Sequence, residues 1–213
     1  MGTITKGILG GFSGKVGTVV GANWRGKDIM RSLPKKGKRE ATEAQLMQRM
    51  KFSMAARFLA PVAYILKSYF GQEQGAKSRR NLAMSYHTTD AIAGTFPDYE
   101  INYERVILTK GELLGFENAD ATPVAGHIVK LTWADNSGQG NAKTTDQVLA
   151  VIYNPIKGLF EVRQNLATRA DGTAAITLPD NYAGDTVVCY LAFISADGKK
   201  AANSIYIGDL AVT

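Results

Sequence analysis

The spacing of Gly21-Ala22-Asn23-Trp24-Arg25-Gly26-Lys27 is that of a phosphate loop, G-x4-G-K, in which backbone N–H groups and the lysine hold phosphates. The next residue is Asp28, where a magnesium-binding hydroxyl is required, and an Asp there repels the ligand. No helical pattern follows to aim an N-terminus at a phosphate. Gly10 to Gly14-Lys15 falls one residue short of the same spacing, and G-x-G-x-x-G does not occur. Nucleotide binding is therefore not expected.

Acid–base and nucleophilic chemistry find no better footing. His87 and His127 lack HxxxH or HExxH spacing, and no G-x-S-x-G marks a nucleophile. Cys189, the single cysteine, sits in an apolar run where a thiol is buried and inert, so neither a disulfide nor a cysteine metal cluster is expected. Asp120, Asp135, Asp171, Asp180, Asp185 and Asp197 fall in turn-like stretches, where Asp commonly bonds its own backbone. The expectation is a protein that is not an enzyme and carries no metal or cofactor.

The basic residues remain. Lys15, Arg25, Lys27, Arg31, Lys35, Lys36, Lys38 and Arg39 cluster around Trp24, with Arg49 following in the next segment. Such a patch can neutralise phosphates while an indole stacks on a base. It can equally meet another subunit, or remain a solvated face.

Charge is distributed unevenly. Residues 1–81 hold 16 Lys and Arg against 4 Asp and Glu, and residues 82–213 hold 9 against 15. The chain thus divides into segments of +12 and −6, which suggests two surfaces with different partners. Apolar runs in residues 1–26 are too short for a secretory signal, and none elsewhere reaches the roughly 18 residues of a membrane helix. A cytoplasmic protein is expected, with a virion or assembled particle as the other setting.

Glycine punctuates the first segment, and two extended runs, about 15–22 and 28–33, flank a polar turn, as in a β-hairpin. Such a hairpin is not stable alone and needs covering. Thr42-Glu43-Ala44-Gln45 has the form of a capping box, so a helix should run from there to about Ala60. At 100° per residue Leu46, Met47, Met50, Met54 and Phe58 share one face, while Phe52, Ala55, Leu59 and Val62 share a nearly opposite one. A helix apolar on two sides needs covering on two. A second helix is expected over 76–93.

Beyond Phe96-Pro97 the period becomes alternating. Expected strands are 103–109, 127–133, 147–153, 159–163, 173–178, 186–195 and 203–208, separated by Asn, Asp, Gly and Pro turns. The run 187–194 is apolar on both faces, as a central strand requires. The fold class is α+β: residues 1–97 form a basic hairpin-and-helix module, and 98–213 an acidic, seven-stranded, immunoglobulin/fibronectin-III-like sandwich.

The stretch Ile128-Val129-Lys130-Leu131-Thr132-Trp133 resembles the second strand of fibronectin type III domains, whose Trp packs between the sheets, and Tyr182–Gly198 resembles their penultimate strand. Paired inter-sheet cysteines are missing, unlike antibody domains. The N-terminal half, with residues 7–17 (GILGGFSGKVG), 31–36 (RSLPKK) and 42–45 (TEAQ) through Gln48, Arg49 and Phe52, resembles an uncharacterised domain-of-unknown-function family of Bacteroides-group bacteria. That resemblance implies an architecture and no mechanism.

The leading expectation is a structural homo-oligomer in which the basic module mediates assembly and the sandwich serves as spacer or display domain. Nucleic-acid binding through 15–39 is the second, and a carbohydrate- or calcium-binding sandwich the third.

Overall fold

A computed structural model of the chain describes residues 2–4, 10–24, 26–35, 40–75 and 77–213. It falls into two compact units, Met1–Thr42 and Glu43–Thr213.

The first unit is an antiparallel sheet in the order β1 (Thr3–Ile4), β2 (Phe12–Val16), β3 (Val19–Trp24) and β4 (Lys27–Ser32). The single strand expected over 15–22 is divided by a turn at Gly17, whose φ of +60° favours glycine. β2 and β3 pair from Val16↔Val19, and β3 and β4 from Trp24↔Lys27.

In the second unit, α1 (Glu43–Leu59) begins directly after Thr42 and is followed by α2 (Ala63–Tyr69) and α3 (Arg79–Asp90). Ser78 caps α3, its side chain accepting from the Asn81 N–H. A short hairpin of β5 (Ile92–Thr95) and β6 (Asp98–Ile101) leads into the sandwich.

One sheet of the sandwich is β10 (Leu159–Arg163), β9 (Gln147–Asn154), β12 (Thr186–Ile194) and β13 (Ile205–Ala211). The other is β11 (Thr173–Thr177), β8 (Ile128–Ala134) and β7 (Glu117–Val124). Trp133 lies buried between them, beside Phe193 and Phe116.

The strand expected over 103–109 is not one. Tyr103–Arg105 is a 3-10 turn, and the Leu108 and Thr109 N–H groups donate to the Ser204 hydroxyl instead of a ladder. The outer strand is Glu117–Val124, whose register shifts between Glu117 and Asp120 around Asn118 at φ +50°.

β9 and β12 explain where the helices belong. Val188, Tyr190 and Ala192 point with Leu149 and Val151 into a core shared with Phe58, Leu59, Val62, Ile65, Leu66 and Ala83 of the helical segment. Their alternates, Val187, Cys189, Leu191 and Phe193, face the three-stranded sheet. A sheet apolar on both faces must be covered on both. The helices therefore pack with the sandwich, and the division falls between Thr42 and Glu43 where residue 97 was expected. Unit one then holds nine Lys and Arg against two Asp and Glu, and the remainder holds 16 against 17. The charge asymmetry resides in the first 42 residues.

Candidate functional site

Cross-strand register decides what the N-terminal sheet presents. Lys15 pairs with Val20 and Val20 with Arg31, while Trp24 pairs with Lys27. Residues directly opposite share a face, so Lys15, Trp24, Lys27 and Arg31 lie together on one side of the sheet. All four are exposed, Trp24 by 58%. Val16, Val19 and Met30 fall on the other side, Met30 being 69% exposed. Near the turn, Asn23 Nδ2 donates to Asp28 Oδ1 at 3.0 Å and Asn23 Oδ1 accepts from the Gly26 N–H at 3.0 Å. Asp28 thus braces the turn of the β3–β4 hairpin.

Lys35 is exposed just beyond β4, and Arg49 is exposed on α1 in the second unit. Arg25, Lys36, Lys38 and Arg39 lie outside the described residues. β4 is exposed at every position and forms the edge of its sheet.

The second unit carries an open groove of about 560 Å³ along α1. Its apolar lining includes Met50, Met54, Phe58, Tyr103, Tyr153 and Phe160. The Phe58 ring meets Tyr153 edge-on at 5.1 Å, and Tyr153 lies 4.4 Å from Phe160. Burial, with Tyr153 beside it, pushes the Tyr103 hydroxyl up to about 12, and burial raises Tyr153 as well. Both phenols stay neutral at ordinary pH, so this surface offers contact area and hydrogen bonds. Arg57 and Glu100 also line it. A second groove of about 560 Å³ opens on the opposite face of α1, beside Phe52, Ala56 and Met84. Of the second apolar side only Phe52 lines that groove, while Ala55, Leu59 and Val62 are buried.

The sequence identified Phe58 and the methionines as one helical face. Tyr103, Tyr153 and Phe160 escaped it, because only the chain topology brings residues so far apart to that face.

The other chemistry-bearing residues are held in the fold. His87 is buried, its Nδ1 2.8 Å from the Ala83 carbonyl, and burial lowers its pKa. Cys189 is buried between the sheets, and burial pushes its thiol up to about 12. Among the described residues no three of His, Cys, Asp and Glu converge as metal ligands, and no helix is long and apolar enough to cross a membrane.

No curated protein matches the chain. Among solved structures, the chain is similar to the fn3 domain of the human collagen alpha-1(XX) chain, at 14% identity and a TM-score of 0.33, covering 47% of this chain and 87% of that one. The model of a family of unknown function, DUF6266, matches residues 11–208, and the chain belongs to that family.

Proposed function

We propose that this is a non-enzymatic structural protein that self-associates through its N-terminal unit, with the sandwich as spacer or display domain. One observation carries the reading: among the described residues 1–42 no apolar side chain is buried. A sheet that buries no apolar side chain has little to hold it together in water. Met30 and Ile29 on an exposed edge strand give a second copy both apolar surface and open backbone groups for strand addition. In the finer reading, β7, β8 and β11 correspond to strands A, B and E of a fibronectin type III sandwich, and β9, β10, β12 and β13 to C, C′, F and G.

Light scattering of the full-length protein at tens of micromolar tests the reading. An oligomer that shrinks in Met30→Lys, which places a charge on the edge, is expected. A monomer of unchanged size in both proteins overturns it.

A second reading is favoured by the shared face of Lys15, Trp24, Lys27 and Arg31, which offers cations and an indole to nucleic acid. It predicts duplex binding that weakens steeply with salt and is lost in the Lys15→Glu/Arg31→Glu double variant. Equal retention of both proteins on a DNA column removes it.

A further inference from the structure

The face of α1 that borders the aromatic groove has a charge pattern that is complementary to itself. Glu43, Met50 and Arg57 recur every seven residues, with Leu46 and Met47, then Ser53 and Met54, between them. At 100° per residue these positions form one stripe. Leu46 is 43% and Met50 38% exposed, and the helix buries apolar side chains only from Ala55 onward. Met50, Met54 and Arg57 of the stripe line the groove. Among the described residues neither Glu43 nor Arg57 makes an ion pair.

We infer that this groove receives α1 of a second copy, running antiparallel about a two-fold axis at Met50. The inference rests on the self-association reading and names a surface for it. Glu43 and Arg57 each stand seven residues from Met50, so a two-fold axis there sets Glu43 of each copy against Arg57 of the other. Met50 meets its counterpart, and Leu46 and Met47 lie across from Ser53 and Met54 of the second copy. A parallel pair would set Glu43 on Glu43 and Arg57 on Arg57, so charge selects the antiparallel arrangement. Of the cations flanking the stripe, Lys51 is already engaged, its Nζ 4.8 Å from the Tyr99 ring centre. The contact is isologous, the commonest kind in homo-oligomers. Together with pairing at β4 it gives each chain two self-complementary surfaces, which extends an assembly beyond a dimer.

Charge reversal in the full-length protein tests this by sedimentation at low salt. Glu43→Arg alone and Arg57→Glu alone each set like charges together twice and should weaken association roughly tenfold. The double variant Glu43→Arg/Arg57→Glu restores both pairs and should return association close to the parent's, which misfolding could not do. Met50→Cys should give a covalent dimer with a short bis-maleimide, since the native Cys189 is buried. Association that persists unchanged in both single variants, or a double variant no better than either, overturns the α1 pairing and leaves self-association through the N-terminal unit standing. A parent protein that is monomeric at tens of micromolar overturns both.

Discussion

The guanidinium of Arg169 is wholly buried against the carboxylate of Asp146, with Nε 3.1 Å and Nη2 3.0 Å from the same Oδ2. The remaining donors reach the Leu114 carbonyl at 2.9 Å and the Asn136 side chain, and the group lies 3.8 Å above the Phe193 ring. Trp133 Nε1 donates to the Arg169 carbonyl at 2.8 Å. One side chain therefore ties three loops to the aromatic centre of the sandwich.

Removing either partner leaves a charge buried without compensation. Arg169→Ala and Asp146→Ala should each cost about 3–5 kcal/mol in urea unfolding. Loss of less than about 1 kcal/mol in both would show that water replaces the missing partner, against this account.

His87 makes stability fall in acid. Burial, opposed by the Ala83 carbonyl and by Asp90, lowers its pKa in the folded state below the ordinary 6.5. Among the described residues its Nε2 has no hydrogen-bond partner, so the folded state resists a second ring proton. The unfolded chain then binds more protons, and stability declines as pH falls through 6.5 toward the folded value. Urea midpoints across this range should slope in the parent and flatten in His87→Phe. Equal slopes would assign the effect to other groups.

The Cys189 thiol should be silent. Pushed up to about 12 by burial, it should react with a thiol reagent only at the rate of unfolding. Rapid modification of the native protein would contradict the packing of β12.

Two glycines in one loop make a controlled comparison. A Cβ at Gly111 would lie 2.1 Å from the Ala201 carbonyl oxygen, while one at Gly115 meets nothing within 4 Å among the described residues. Gly111→Ala should destabilise by about 1–3 kcal/mol because backbone must move. Gly115→Ala should change the thermal midpoint little, and equal effects would disprove the close approach.

Much of the sandwich was legible because alternation survives wherever one face is buried. Leu159–Arg163 matches its expectation, and β8, β9, β11 and β12 differ from theirs by one residue at one or both ends. The failures have local causes. Val106-Ile107-Leu108 is as apolar as a strand, yet the Val106 N–H closes the turn on the Tyr103 carbonyl and the Leu108 N–H donates to the Ser204 hydroxyl. Glu117–Val124 is bulged and its inward residues, Ala119 and Ala121, are small, so its alternation is weak. In the first unit the cationic set was readable from residue types, but its common face was not. The turn at Gly17 resets the alternation, and register alone places Lys15, Trp24, Lys27 and Arg31 on one side. The capping-box segment marked where α1 begins. Residue types could not say that the helices pack with the sandwich, because that follows from β9 and β12 being apolar on both faces.

Those two strands set a limit on dissection. Cutting the chain near residue 97 to isolate a tidy β-domain would strip the cover from Leu149, Val151, Val188 and Tyr190 and lay half of the central sheet open to water. A fragment that keeps this face covered must therefore retain the helical segment, and a graft intended to borrow the sandwich as a carrier must bring those helices along.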